Sequence, residues 1–133
     1  MGGLAIIKAL MKLLAFDTST ERLHLGACDG PHTLTHQEAG GAQSSARIVP
    51  LAMATLNELG LGLQQLDAIV MGRGPGSFTG LRTACAVAQG LAFGAGRPVL
   101  PIDTLWAVAE QARQGQAQIR VLAVVDARMG QYY

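Results

Sequence analysis

Apolar and polar positions fall into distinct blocks along this chain, and each block predicts one element. Lys12 to Asp17 is a short apolar run that ends in the polar stretch Asp17-Thr18-Ser19-Thr20, a buried strand followed by a turn. Arg22 to Cys28 alternates polar and apolar residues and reads as a second strand. Gly30-Pro31 turns into a third strand, His32 to Gln37, and the short links make the three an antiparallel meander. Gly40-Gly41 breaks the pattern, and Ser44 or Ser45 can cap a helix that runs to Leu59 and stops at Gly60. Pro50 lies early in that helix, where a local bend is tolerated. A compact strand, Asp67 to Met71, precedes a glycine-rich loop from Gly72 to Gly80. A second helix then runs from Thr79 to Gly94, a strand from Arg97 to Ile102, and a third helix from Thr104 to Arg113. Arg120 to Val125 reads as a last strand, after which Asp126 to Gly130 turns into the start of another.

Three antiparallel strands followed by alternating helices and strands predict the α/β class. The expected architecture is a ribonuclease-H-like half of the actin-like fold, a mixed five-stranded sheet with helices on both faces. Residues 1–10 read as an extension ahead of a natural start at Met11, and residues 11–133 as one domain.

Composition adds two constraints. Half of the 133 residues are hydrophobic, and only 14% are charged, against about a quarter in ordinary soluble domains. The chain can build one sizeable core, and part of its surface is expected to lie under another domain or chain. The net charge of +1 argues against free nucleic-acid binding by charge alone. Cys28 and Cys85 lack CxxC spacing and are expected to be small buried hydrophobes in a reducing cytoplasm. The apolar first residues are too few to span a membrane, so no membrane partner is expected.

The glycine loop is the strongest local motif. Gly72, Gly74, Gly76 and Gly80 with Pro75 stand between a strand and a helix. Glycine allows close backbone approach, and a helix start offers free N–H groups, so the loop suits a phosphate or a partner's backbone. It equally suits a tight turn whose glycines serve packing. No Gly-Lys-[Ser/Thr] follows, which excludes a Walker A loop. A dinucleotide fingerprint would need one residue fewer between Gly76 and Gly80, and the antiparallel meander is foreign to that fold. The polar stretch after the first strand resembles the first phosphate loop of actin-like ATPases. Asp17, Thr18, Ser19, Gly74 and Gly76 are therefore the candidate nucleotide-phosphate residues, with an Asx turn as the alternative. His32 and His36 on a strand stand too far apart to share an ion, roughly 13 Å at about 3.3 Å per residue, and no metal site is expected. Serine, histidine and aspartate are present without a nucleophile elbow, so no catalytic residue is assigned.

Taken together, these segments resemble the TsaB (YeaZ) family. Met11 to Glu21 is similar to the family's opening strand and turn, and Gly72-Arg-Gly-Pro-Gly-Ser-Phe-Thr-Gly-Leu-Arg82 to its signature loop. Val87 to Ala92 continues the match, and Asp126-Ala-Arg-Met-Gly130 is similar to a hairpin near the end of its first domain. The resemblance implies an N-terminal actin-like domain without the family's second domain. It implies a non-catalytic scaffold with no cofactor of its own. That scaffold would support a TsaD-like transferase in making threonylcarbamoyladenosine on tRNA, with a TsaE-like ATPase in the same complex. Contact with tRNA would come only through that complex, in the cytoplasm. The rival reading is a small nucleotide-binding ATPase of the actin-like superfamily. Two departures matter: Ser44-Ser45 stand where many members have a His-Ser pair, and Asp103-Thr-Leu-Trp-Ala107 replaces the HxxxH of TsaD-like subunits.

The second helix is apolar nearly all round, and the first carries apolar residues on two faces. Such helices need cover on more than one side. Gly80, Ala84 and Ala88 form one small-residue row, and Ala86, Gly90 and Gly94 another, which lets a further helix approach closely. The expected partner surface comprises Ile48, Val49, Ala52, Met53, Leu56, Arg82, Ala86, Gln89 and Phe93. The family resemblance points to the same helices. The occupant would be the TsaD-like subunit, or a second copy when the chain is alone.

Overall fold

The computed structural model describes residues 10–133, so the reading of the first residues as an extension falls, Leu10 apart, outside the described residues. The meander forms as expected: β1 (Lys12–Asp17), β2 (Arg22–Asp29) and β3 (His32–Ala39). β1 and β2 are antiparallel, with Lys12 opposite Asp29 and Asp17 opposite His24. Helix α1 (Ser44–Glu58) then crosses over to β4 (Ala68–Gly72), which lies parallel to β1. Helix α2 (Phe78–Ala95) crosses over to β5 (Val99–Ile102), parallel to β4. The sheet order is β3-β2-β1-β4-β5, a mixed five-stranded sheet. Helix α3 (Thr104–Arg113) follows, and β6 (Asp126–Arg128) with β7 (Gln131–Tyr132) forms a separate hairpin.

Strand alternation puts Leu14, Phe16, Leu23, Leu25, Ile69 and Met71 on one sheet face, all buried. Ile48, Ala52 and Leu56 of α1 and Ala84, Ala88 and Ala92 of α2 complete this core. Burying each large aliphatic side chain contributes about 1.5–3 kcal/mol, and Leu14, Leu23, Ile48, Leu56 and Ile69 are fully buried. The opposite face is thinly covered. Helix α3 borders it with Ala107 and Gln111, leaving a groove of about 430 Å³ over Ala15, Gly26 and Val70.

Local sequence explains the boundaries. Gly60 and Gly96 take left-handed φ just past the ends of α1 and α2. The Ser77 hydroxyl caps α2, accepting from the Gly80 N–H at 3.3 Å. Asp103 caps α3, accepting from the Leu105 and Trp106 N–H groups at 3.0 and 3.2 Å.

Two local expectations are corrected. Neither Ser44 nor Ser45 is the cap of α1: a short 3-10 turn, Gly41–Gln43, leads directly into the helix, and Ser44 is already helical and buried. Pro50 is tolerated inside the continuous helix. Arg120 to Val125 is not a strand. An apolar, β-branched run becomes a strand only beside a pairing edge. Among the described residues its one backbone hydrogen bond to another segment is the Tyr133 N–H donating to the Val125 carbonyl at 2.9 Å. Leu122 is consequently 89% exposed.

Candidate functional site

The chain brings the polar turn after β1 and the glycine loop after β4 into direct contact. β1 and β4 are parallel neighbours with Phe16 opposite Met71, so their C-terminal ends emerge side by side. Asp17 is the last residue of β1, and its carboxylate organises the turn. Oδ1 accepts from the Ser19 N–H at 2.7 Å and from the Ser19 hydroxyl at 2.5 Å. Oδ2 accepts from the Thr104 hydroxyl at 2.7 Å. The same Thr104 oxygen accepts from the Gly74 N–H at 3.1 Å, and the Thr104 N–H donates to the Gly74 carbonyl at 2.9 Å.

The next two residues seize the start of α2. The Thr18 hydroxyl donates to the Gly80 carbonyl at 2.6 Å, and the Ser77 N–H donates to the Ser19 carbonyl at 2.6 Å. Thr18 and Ser19 are almost wholly buried. The loop glycines have a steric role here: a Cβ on Gly72 would strike the Asp17 carboxylate, and one on Gly80 the Thr18 carbonyl. A Cβ on Gly76 would likewise strike the Ser19 carbonyl. All five candidate phosphate residues therefore converge on one spot: four are hydrogen-bonded to one another or to Thr104, Ser77 and Gly80, and Gly76 packs against Ser19. The hairpin β6–β7 faces the outer side of this turn across a cleft of about 800 Å³, which Ser19, Gly76, Phe78, Val125 and Arg128 help to line.

Sequence reasoning singled out Gly72 and Gly80 as glycines of the loop, though not among the phosphate candidates, and did not single out Thr104 as part of this network. Asp103-Thr104 before a helix is a visible cap signal. The Thr104 hydroxyl has no such signal, because its partner Asp17 is 87 positions away.

The nine residues of the expected partner surface divide in two. Ile48, Ala52 and Leu56 are fully buried and face the sheet. Spaced four apart, they form the stripe of α1 that fills the core, so these three are withdrawn from the outward surface. Val49 and Met53 lie one position on, about 100° around the helix, and are 38% and 44% exposed. On α2, Arg82, Ala86 and Gln89 are exposed and Phe93 is 91% exposed. The small-residue rows divide likewise: Ala84 and Ala88 are buried, whereas Ala86, Gly90 and Gly94 face outward. Arg82 folds back over the Phe78 ring, 4.0 Å from its centroid, a cation–π contact at the head of the helix.

Elsewhere, Glu38 of β3 and Arg47 of α1 form a two-pronged ion pair at 2.9 and 3.0 Å. The hydrogen bonds from Arg47, and secondarily its charge, hold the Glu38 carboxyl below the usual carboxylate range. Among the described residues no three His, Cys, Asp or Glu side chains cluster closely enough to hold a metal ion. No helix among them is long and apolar enough to cross a membrane.

Comparison with known proteins bears on the whole of this arrangement. The family model described as "TsaD: tRNA N6-adenosine threonylcarbamoyltransferase" matches residues 32–133. The tRNA threonylcarbamoyladenosine biosynthesis protein TsaB of Haemophilus influenzae is 43% identical over 123 residues, covering 92% of this chain and 52% of that protein. The solved structure of YeaZ from Pseudomonas aeruginosa superposes with a TM-score of 0.84 at 42% identity, covering 92% of this chain and 57% of the other. RuvC from Thermus thermophilus superposes with a TM-score of 0.51 at 16% identity over 79% of this chain, a likeness of fold alone. The chain spans about half the length of the curated relatives it matches.

Proposed function

The chain belongs to the TsaB (YeaZ) family, and from that membership we propose that it serves tRNA threonylcarbamoyladenosine biosynthesis as a non-catalytic partner subunit. In this reading the outward faces of α1 and α2 hold a TsaD-type transferase. The same faces pair with a second copy when the transferase is absent. A TsaE-type ATPase joins the complex, tRNA is met only within it, and the whole works in the cytoplasm.

One observation carries the reading. Two neighbouring helices fill the core with one side and leave Val49, Met53, Ala86 and Phe93 uncovered on the other. An almost fully exposed phenylalanine beside an outward row of Ala86, Gly90 and Gly94 suits close packing against other helices. A specific complex needs about 800 Å² per partner, which two helix faces of this length can supply.

The test is co-purification of the full-length protein with the transferase of the same organism, followed by an assay of tRNA modification. Wild type is expected to bind and to support modification. Val49→Glu, Met53→Glu and Phe93→Glu are each expected to fold, to lose self-association and to lose transferase binding. If all three bind normally, the helix pair is not the contact. If the purified protein instead turns over ATP with magnesium by itself, the ATPase reading replaces this one.

A further inference from the structure

We propose that Asp17 is a positioning residue, whose carboxylate fixes the loop that aims α2 at its partner. The inference rests on reading α2 as part of the partner surface.

Among the described residues Asp17 is the only acidic side chain bonded within the contact between the β1 turn and the glycine loop, and its oxygens face inward to chain donors. An ionised carboxylate has about four acceptor positions. Three are taken, two by Ser19 and one by Thr104. Oδ1 shapes the turn whose Thr18 hydroxyl and Ser19 carbonyl grip Gly80 and Ser77 at the head of α2. Oδ2 reaches Thr104, which grips Gly74 through both its hydroxyl and its N–H. The carboxylate thus joins the end of β1, the glycine loop and the start of α3 and, through its turn, the start of α2.

Helix α2 gains from such an anchor because the buried centre of its core face is small. That stripe is Ala84, Ala88 and Ala92, with Cys85, Val87 and Leu91 packed partly buried against the same core. Alanine methyls offer little to interlock with a neighbour, so the stripe resists tilt and slide less firmly than one of large side chains would. From Gly80 to Phe93 the helix spans about 20 Å at about 1.5 Å per residue. A tilt of about 5° at the anchored end then moves the Phe93 ring by nearly 2 Å on that lever. A loss of the carboxylate's bonds is therefore felt most at the exposed end that a partner would meet.

The experiment measures association of the full-length protein with the transferase, at a temperature where every variant is folded by circular dichroism. Thr104→Val removes the donor to Asp17, and Thr104→Ser restores it. Thr104→Val is expected to weaken association tenfold or more, and Thr104→Ser to stay within twofold of wild type. In a Phe93→Ala background, which itself weakens association, Thr104→Val is expected to add less than twofold, because both act through one helix end. Should Thr104→Val fail to fold, Asp17→Asn, which keeps the shape and loses the charge, carries the same test. Independent, multiplying effects of Thr104→Val and Phe93→Ala would overturn the proposal, as would normal binding by Thr104→Val. If Phe93→Ala leaves association unchanged, the helix-face reading falls and the proposal with it. Equilibrium dialysis with Mg-ADP supplies the last arm. Binding by wild type that Asp17→Asn abolishes, with transferase association intact, makes Asp17 a nucleotide residue and refutes positioning.

Discussion

The Thr18 hydroxyl donates to the Gly80 carbonyl at 2.6 Å, so the turn after the first strand is fastened to the first turn of α2. That fastening demands glycine. A Cβ at position 80 would lie inside the van der Waals radius of the Thr18 carbonyl, a backbone atom that cannot swing aside. Gly80→Ala is expected to destabilise the protein by roughly 1–3 kcal/mol, the usual cost of overpacking, despite alanine's better helix propensity. Urea unfolding of the full-length variant measures this, and an unchanged midpoint would mean that the loop can back away.

The two faces of α1 should respond oppositely to substitution. Ile48 is fully buried in the core, so Ile48→Ala is expected to cost about 2–5 kcal/mol of stability. Val49 is 38% exposed, so Val49→Ala is expected to cost within about 0.5 kcal/mol. Thermal unfolding of the two variants side by side checks the assignment of the stripe. Equal losses would show that α1 is rotated from the orientation described.

Much of this division was legible in the sequence. The meander, the two crossover helices and the strand before each were marked by alternation, apolar runs and glycine stops: the meander and the helices satisfy their hydrogen bonds with near neighbours, and β4, whose partner β1 is distant in sequence, still shows as a buried apolar run. Arg120 to Val125 failed for the opposite reason: its composition fits a strand, but a strand needs an edge, and sequence does not show which edges are free. The partner surface was read too broadly for a similar reason. Ile48 and Val49 are both apolar, and only the helix's orientation on the sheet separates core from surface. The structure brings the turn and loop residues together, but their mutual bonds stayed hidden in the sequence. Asp17 and Thr104 are 87 positions apart, and no local pattern links them.

The ion pair between Glu38 and Arg47 clips the edge strand β3 to α1 and gives a pH signature. Hydrogen bonding to Arg47 lowers the Glu38 carboxyl from its ordinary value of 4.5. A carboxyl that is more acidic when folded contributes stability above its unfolded pKa, and that contribution is lost as pH falls through the folded value. Wild type is therefore expected to lose a small increment of stability on acidification through and below pH 4.5 that Glu38→Gln does not lose. The pair is exposed to solvent, so the difference between the two melting curves should also shrink in high salt. A pH dependence identical in both proteins would remove the ion pair from the account.

The last prediction separates stability from binding on one helix face. Gly90 and Gly94 lie inside α2, and a Cβ at either position would meet open space. Glycine inside a helix costs about 0.5–1 kcal/mol relative to alanine. Gly90→Ala and Gly94→Ala are thus each expected to raise the stability of the isolated protein by about that amount. Nothing among the described residues calls for glycine at these two places. A second helix lying against the row would call for it, because two backbones approach closely only where no side chain intervenes. The stabilised variants are accordingly expected to bind the transferase, and one another, more weakly than wild type. Urea unfolding and an association assay on the same preparations read the two effects. A gain in stability with undiminished association would show that the Ala86, Gly90 and Gly94 row lies outside the contact. A loss in both would show that the row is already packed against the rest of the full-length chain.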